Sequence, residues 1–251
     1  PDVWFSQHRG RSRSRPGAFS EPEAFATYPL LIAVRTLLRW AFYCLLAFYG
    51  GSTVSLLYVK FFHPFTTTVH LQRRIESFFT PGHYAKRYTF VPLDRVSDHL
   101  EHAVIAAEDG RFFQHGGIDW QELEKAVHKD WPRGRLRGAS TITQQLVKNL
   151  FLTTHQLVLR KALELPLVVL AELILSKERI LALYLNVIEW GPGVYGAEAA
   201  SQYHYGIPAA QLSRAQAARL AACIPSPRTR TPPEMDSYSA EILDRMSHMG
   251  W

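Results

Sequence analysis

The sequence predicts a mainly α-helical domain that follows one membrane-spanning helix. Two observations predict this class: residues 40–59 contain no charged residue, and after residue 95 apolar residues recur at helical spacing. Strand-like alternation is scarce, with residues 88–92 the best example, and no internal repeat is visible. The length of 251 residues suits one principal domain with appendages.

Residues 40–59 are the predicted transmembrane helix. Fifteen of these twenty residues are hydrophobic, and as an α-helix they would be about 30 Å long, enough to cross the apolar core of a bilayer. Arg39 and Lys60 bracket the segment, and aromatic residues lie near its ends, as is typical of a membrane span. A buried core helix is the alternative, which the absence of charge disfavours. A cleaved signal peptide fits poorly, because the segment is long and begins some forty residues into the sequence.

The charges on either side of this segment predict its orientation. Six arginines precede it and three Lys or Arg residues follow in residues 60–79, so the positive-inside rule favours a cytoplasmic basic tail over residues 1–39. The arginine-rich residues 9–15 suit either nucleic-acid binding or a short disordered tail, and the tail is favoured. Residues 60–94 form a membrane-proximal segment, in which residues 71–79 are either an amphipathic piece at the lipid surface or a surface helix of the following domain.

Residues 95–251 make up the main domain, and their patterns predict several helices. Asp119 and Ser213 stand where N-caps are expected, with Glu122 and Gln216 three residues later, as in a capping box. Pro166 should kink or break the long apolar helix in which it lies. The predicted helices cover residues 100–107, 119–131, 140 or 141–150, 160–189 and 213–224.

Composition narrows the function classes without choosing among them. A hydrophobic content of 47% excludes disorder throughout, and two cysteines, Cys44 and Cys223, exclude a disulfide-stapled miniprotein. The net charge of +6 indicates an anionic partner, which nucleic acid, a membrane surface or a phosphorylated substrate would each satisfy. Residues 191–196 match the dinucleotide-binding pattern G-x-G-x-x-G, but a helical run precedes them instead of a strand, so a Gly-rich turn between helices is predicted.

Three clusters are candidates for chemistry. In the first, Glu108 and Asp109 lie at the end of an apolar helix and the start of a loop with aromatic residues. Desolvation there would raise the pKa of a carboxyl group, which could then act as a general base or acid. The alternative is an ion pair with Arg111 at the helix end. The second is a polar helix face that suits an anionic, sugar-bearing ligand, and the third is a helical ion-pair triplet that suits either a salt bridge or a phosphate site. The polar face consists of Thr141, Gln145, Lys148 and Asn149, and the triplet of Arg160, Lys161 and Glu164.

Taken in order, these segments resemble the peptidoglycan glycosyltransferase family (glycosyltransferase family 51), and the resemblance covers residues 95–225. No penicillin-binding S-x-x-K domain follows, which indicates the monofunctional biosynthetic transglycosylase type. The motifs are E-D-x-x-F-x-x-H-x-G (Glu108, Asp109, Phe112, His115, Gly117), G-x-S-T-I-[ST]-Q-Q (Gly138 to Gln145, followed by Lys148 and Asn149), R-K-x-x-E (Arg160, Lys161, Glu164) and K-x-x-I-L-x-x-Y-L-N (Lys177, Ile180, Leu181, Tyr184, Leu185, Asn186).

The resemblance implies a lysozyme-like fold and the polymerisation of lipid II into β-1,4-linked glycan, with release of undecaprenyl pyrophosphate. It places this reaction on the outer face of the bacterial cytoplasmic (inner) membrane. It implies an inverting displacement in which Glu108 is the general base and Glu164 organises cations or a divalent ion. The implied pyrophosphate contacts are Lys148, Arg160 and Lys161, the residues that orient sugar and phosphate oxygens are Ser140, Gln145 and Asn149, and the further substrate-binding residues are Asp109, Phe112, His115, Thr141 and Gln144.

The implied partners are lipid II and the growing lipid-linked glycan, together with other cell-wall synthesis or division proteins, and not nucleic acid. No metal site is visible, so Mg²⁺ or Mn²⁺ bound with the pyrophosphate is optional. Two positions depart from the family pattern: Gln156, where relatives often have Arg, and Pro166, just after Glu164. The competing hypotheses are a glycan-cleaving lysozyme-like enzyme and an inactive membrane scaffold for cell-wall synthesis.

Overall fold

The computed structural model describes residues 24–79, 84–130, 140–155 and 158–251. The arginine-rich residues 9–15, Gly138 and Gln156 lie outside these ranges. The chain divides into two compact units, the first ending at Phe48 and the second beginning at Tyr49. The described part is mainly α-helical, which confirms the predicted class. Its helices are α1 (Ala24–Phe61), α2 (Thr68–Ser77), α3 (Asp98–Glu108), α4 (Trp120–Asp130), α5 (Ile142–Phe151), α6 (Val158–Ile174), α7 (Lys177–Val187), α8 (Ala197–Tyr205), α9 (Arg214–Cys223) and α10 (Asp236–His248).

Helix α1 contains the predicted transmembrane segment and is longer than that segment. Among the described residues, Leu31–Phe61 is the stretch that is long and apolar enough to cross a membrane, with a mean hydropathy of 1.6. The helix continues on the N-terminal side of residue 40 because residues 31–39 consist largely of Leu, Ala and Arg, which favour helices. One N-terminal apolar helix of this kind is consistent with a single-pass membrane anchor.

Two groups of helices form the core of the second unit. Helices α3, α9 and α10 pack against one another, while α5 packs against α6 and α7. Both groups bury their apolar faces: Leu100, Val104 and Leu220 are fully buried in the first group, and Ile142 and Leu146 in the second. Helices α3 and α5 therefore belong to different groups.

The caps of α5 and α9 follow the predicted pattern. Thr141 Oγ1 accepts from the backbone N–H of Gln144, whose side chain accepts in return from the Thr141 N–H. Ser213 and Gln216 form the same reciprocal capping box at α9. Each cap satisfies helix N–H groups that have no partner within the helix, which fixes where the helix begins.

Pro166 was expected to kink or break the long apolar helix, and it does not break it, because α6 runs through Pro166. The helix continues to Ile174, and the run is broken at Leu175 and Ser176. Ser176 begins α7 by accepting from the backbone N–H of Arg179 at 3.2 Å. A proline removes one helical hydrogen bond, and burial of Leu167 and Val168 beside it offsets that loss.

The Gly-rich region between α7 and α8 forms two strands of a small sheet, and the third strand precedes α3. The strands β1 (Arg87–Tyr88), β2 (Glu189–Gly191) and β3 (Val194–Tyr195) lie in the order β1-β3-β2, with β1 parallel to β3 and β2 antiparallel to it. The turn of this hairpin lies between Gly191 and Val194, so the predicted turn is confirmed, but it joins two short strands where a turn directly between helices was expected. Gly196 has a φ of +89°, and a Cβ there would lie 2.7 Å from the carbonyl oxygen of Asn186.

Candidate active site

Glu108 lies at the point where α3 ends and faces α5. It is the last residue of α3, and Asp109 leaves the helical conformation with φ −160° and ψ 70°. The Gln145 side chain on α5 donates from Nε2 to Glu108 Oε2 at 2.6 Å. Gln145 Oε1 in turn accepts from the hydroxyl of Tyr184, a fully buried residue of α7, at 3.0 Å.

Burial sets the protonation behaviour of Glu108. Desolvation raises the pKa of its carboxyl above the ordinary value, while the hydrogen bond from Gln145 and the charge of Lys148 lower it in part. Arg230 is also close enough to lower this pKa. A carboxylate whose pKa is raised by burial is a better proton acceptor than an exposed one, which is what a general base requires.

Asp109 ties the loop after α3 to the start of α5. Its Oδ1 accepts from His115 Nε2 at 2.8 Å, and its Oδ2 accepts from the backbone N–H of Ile142 at 3.0 Å. His115 Nδ1 accepts a hydrogen bond from the N–H of Gly117. Nε2 is therefore the protonated ring nitrogen, and it donates the hydrogen bond to Asp109. Thr141 completes the junction by donating to the Gly117 carbonyl oxygen at 2.6 Å. These hydrogen bonds fix the end of α3 relative to the start of α5, which keeps Glu108 next to Gln145.

Gly117 packs where no side chain fits. Its φ is +88°, and a Cβ would lie 2.5 Å from Val168 Cγ1 and 2.9 Å from Glu172 Cγ. We expect Gly117→Ala to lower the free energy of unfolding by about 2–4 kcal/mol, from left-handed strain and overpacking together. Chemical denaturation of the detergent-solubilised protein measures this loss. Gly116→Ala is the matched control, because nothing lies within 4 Å of a Cβ at Gly116; equal effects of the two substitutions would contradict the packing assignment.

A second charged group lies on α6. The Glu164 carboxylate, 2% exposed, accepts from Arg160 Nη1 at 2.6 Å and from Lys161 Nζ at 2.5 Å. Arg160 also donates from Nε to the carbonyl oxygen of His155 at 2.9 Å. The Glu164 carboxylate therefore contacts both Arg160 and Lys161 even though Pro166, which the family pattern does not include, lies two residues later.

Lys148 lies within electrostatic reach of both charged groups. Burial lowers the pKa of its ammonium, Glu164 and Glu108 raise it in part, and Arg160 and Lys161 lower it further. Within the described part of the chain, the Lys148 ammonium has no hydrogen-bond or ion-pair partner, although the Lys148 carbonyl oxygen accepts from the backbone N–H of Leu152. A half-buried cation whose ammonium lacks a protein partner is a candidate contact for an anionic ligand.

A cavity of about 260 Å³ opens beside Glu108. Its lining includes Ser140 and Thr141 from the start of α5, together with Arg111 and Arg245. Ser140 is exposed, and Arg245 Nη1 lies 3.5 Å from the carbonyl oxygen of Ala106. The base candidate is therefore accessible to a ligand and is not sealed in the core.

The structure brings together some of the predicted site residues and engages others in internal hydrogen bonds. Glu108, Gln145, Lys148 and the α6 triplet belong to one constellation. Thr141 and Gln144 cap α5, and Asn149 Nδ2 donates to the Gln145 carbonyl oxygen at 2.8 Å. Phe112 is fully buried, with Lys177 Nζ 4.5 Å from its ring centre. Substrate contact by these residues, and by Asp109 and His115, stays a prediction.

Sequence reasoning assigned no role to Tyr184, Arg230 or Arg245. Tyr184 stood inside a family motif, but a single aromatic residue on an apolar helix has the pattern of a core residue. Arg230 and Arg245 follow the last motif, and their proximity to Glu108 depends on how α9 and α10 pack on α3. No spacing in the sequence signals that proximity.

A helical domain that places a candidate base beside an open cavity, with the cation Lys148 within electrostatic reach of that base, has the parts that a group-transfer enzyme needs. The family model described as Transglycosylase matches residues 72–248. The chain is 43% identical over 199 residues to a protein of Nitrosospira multiformis (77% of this chain, 86% of that protein) and 42% identical over 219 residues to one of Pseudomonas entomophila (86% and 93%). It is 48% identical over 168 residues to one of Bordetella avium (63% and 70%). Each is named biosynthetic peptidoglycan transglycosylase.

The chain belongs to the transglycosylase family. It is a glycosyltransferase, and its main domain has the lysozyme-like helical fold that the resemblance implies.

Proposed function

We propose that the protein polymerises lipid II into β-1,4-linked glycan strands and releases undecaprenyl pyrophosphate, with Glu108 as general base. The family and the names of the relatives support glycan-chain polymerisation. The observation that carries the mechanism is that Lys148 lies within electrostatic reach of both Glu108, a carboxylate of raised pKa, and the ion-pair triplet of α6. A base and an anion-stabilising group are the two parts that this displacement requires.

The proton transfer occurs at Glu108. The acceptor sugar hydroxyl attacks the anomeric carbon of the donor while the bond from that carbon to the pyrophosphate oxygen breaks, and the hydroxyl proton passes to the carboxylate. Among the described atoms, Oε2 is the oxygen held by Gln145, which leaves Oε1 for the acceptor hydroxyl. Attack opposite the leaving group inverts an α-linked donor into a β product, so one base suffices and no glycosyl-enzyme forms.

Negative charge develops on the departing pyrophosphate, and Lys148, Arg160 and Lys161 are the groups that stabilise it. Arg160 and Lys161 are already held by Glu164, so their orientation costs little when the ligand binds. The Lys161 side chain is 42% exposed and accessible to a ligand, whereas Lys148 is nearer to Glu108. Glu164 is thus proposed as the residue that organises the cations.

A divalent cation, Mg²⁺ or Mn²⁺, is proposed to enter with the pyrophosphate and not to be held by the chain. Both Glu164 oxygens already bind cations. The side-chain atoms of Asp109, His115 and Asp119 that could bind a metal ion lie within 4.8 Å of one another. Asp109 and His115, however, are hydrogen-bonded to each other, and Arg111 Nε lies 3.6 Å from Asp119 Oδ2. The guanidinium supplies the positive charge there, so these residues do not fit a resident metal ion.

The membrane anchor confines the enzyme to the surface that holds its prenyl-linked substrates. We propose a cytoplasmic N-terminus and a catalytic domain outside the bacterial inner membrane, in agreement with the arginine excess before the span. Leu71, Ile75, Phe78 and Phe79 are exposed in or just after α2, which suits contact with lipid. Other cell-wall synthesis or division proteins are proposed partners, and nucleic acid is not.

The rate of polymer formation is expected to follow a bell-shaped pH profile. Glu108 must be ionised, and burial raises its pKa, so the acid limb is centred above the ordinary value of 4.5. Lys148 must be protonated, and burial lowers its pKa, so the basic limb is centred below 10.5. Purified full-length protein in detergent is supplied with lipid II from about pH 4 to 10, and kcat/KM for polymer formation is measured. An acid limb centred at or below pH 4.5 would contradict Glu108 as the base.

A further inference from the structure

The hydrogen bond that Glu108 receives depends on a second residue deeper in the core. Gln145 Nε2 donates to Glu108 Oε2 at 2.6 Å, and the same amide accepts at Oε1 from the Tyr184 hydroxyl at 3.0 Å. Tyr184 lies on α7 and is 0% exposed. The three groups therefore form a linear chain from the core to the cleft.

The direction of this chain follows from the chemistry of its groups. A carboxylate is an acceptor only, so the amide must present its NH₂ group to an ionised Glu108. If the amide rotated by half a turn, its oxygen would face Glu108, and only the protonated acid would have a hydrogen to give. The Tyr184 hydroxyl favours the first orientation, because it donates to the amide oxygen there. Beside a rotated amide it could only accept from the NH₂ group, and its own buried hydrogen would lose its partner. Burial, with Glu108 and Asp109 nearby, raises the pKa of Tyr184 well above its ordinary value, so the hydroxyl keeps its proton.

We propose that Tyr184 is a positioning residue that, through Gln145, holds Glu108 as the ionised carboxylate that accepts the proton. The inference rests on the proposed role of Glu108 as base. Tyr184 touches no substrate, so it acts on the protonation equilibrium of the base and not on the reacting atoms. A residue that only fills the core would lack this effect, because a phenylalanine ring fills nearly the same volume.

The test is the pH profile of Tyr184→Phe with lipid II as substrate. Without the hydroxyl, the first orientation loses the donor that favours it, so the protonated form of Glu108 gains in stability relative to the ionised form. The acid limb of kcat/KM is therefore expected to move to higher pH by about 0.5–1 unit. The rate should recover toward the wild-type value on the alkaline side of the limb, where Glu108 is ionised in both proteins.

Tyr195→Phe is the matched control. Tyr195 is also fully buried, and its hydroxyl lies 3.1 Å from the Tyr84 hydroxyl, away from Glu108. Removing its hydroxyl costs a buried hydrogen bond without touching the Gln145 chain, so the acid limb should stay in place. The melting temperatures of both variants in the same detergent show how much stability each substitution has removed.

Gln145→Ala tests the same link from the other side. It removes the amide that Glu108 accepts from, so its acid limb should also move to higher pH, and adding Tyr184→Phe to it should move the limb no further. A Tyr184→Phe limb that superimposes on wild type overturns the proposal, as does an equal loss of rate at every pH. Full activity of Glu108→Gln would instead overturn the proposed function itself, so the two failures are distinguishable.

Discussion

Replacing Glu108 by Gln is expected to reduce glycan polymerisation by about 10²–10⁴-fold, because the acceptor hydroxyl loses its base. The amide has nearly the shape of the carboxyl and still offers an oxygen to Gln145 Nε2, so the fold is retained. The measurement is polymer formed from lipid II by the full-length protein at saturating substrate. Near-normal polymer would show that Glu108 is not the base.

The same substitution is expected to leave the melting temperature unchanged or higher. Burial raises the folded-state pKa of Glu108 above its unfolded value, so its stabilising contribution is complete below the unfolded pKa and lost as the pH rises through the folded pKa. At pH 7.5 the group therefore costs stability, and Gln removes that cost. Lost activity with a lowered melting temperature would instead indicate damage to the fold.

Glu101→Gln is the matched control on the same helix. Burial, with Asp98 nearby, raises the pKa of Glu101 to about 7, so this substitution also removes a carboxyl of raised pKa. Glu101 has no place in the cleft, and its replacement should leave polymerisation unchanged. A loss of polymer as large as that of Glu108→Gln would show that the effect comes from the helix and not from the base.

Replacing Lys148 by Ala or Met is expected to reduce polymerisation by about 10²–10³-fold, the usual cost of removing one preorganised group that stabilises developing charge. Met keeps most of the side-chain volume, so it separates loss of charge from loss of packing. Burial lowers the folded-state pKa of Lys148, and the charged form therefore contributes no stability that Met would lose.

Lys125→Ala is the control for Lys148. The Lys125 side chain is 68% exposed and forms a surface ion pair with Glu122 on its own helix, so its loss should change neither rate nor melting temperature. Rates are compared at several lipid II concentrations, since loss of charge should weaken use of the donor. An unchanged rate with a lowered melting temperature would make Lys148 a structural residue.

Local patterns predicted the helices and their caps because those features depend on neighbours in the sequence. Thr141 and Ser213 each satisfy a nearby backbone N–H, which spacing alone can indicate. Pro166 shows the limit of that reasoning, since burial of adjacent residues in α6 outweighs the lost hydrogen bond. The N-terminal extension of α1 was missed for another reason. Residues 31–39 contain two arginines and therefore fall outside the uncharged segment, although their Leu, Ala and Arg residues favour a helix.

The site was predictable only in part. Helical spacing placed Thr141, Gln145, Lys148 and Asn149 on one face. Thr141 and Asn149, however, bond to backbone atoms three and four positions away, as short polar side chains often do. The approach of Gln145 to Glu108 joins residues that are 37 positions apart, and that of Tyr184 to Gln145 joins residues 39 apart. Such contacts depend on how helices pack, so only the family resemblance suggested the first and nothing suggested the second.

The most direct test of the central claim supplies the purified full-length protein with lipid II in one reaction and with finished peptidoglycan in another. The account predicts β-1,4-linked polymer from lipid II, one undecaprenyl pyrophosphate released per bond formed, and no cleavage of the finished glycan. Both activities should be compared with Glu108→Gln. Cleavage of finished glycan without polymer from lipid II would contradict the account and identify a glycan-cleaving enzyme, and the absence of both activities would indicate a scaffold.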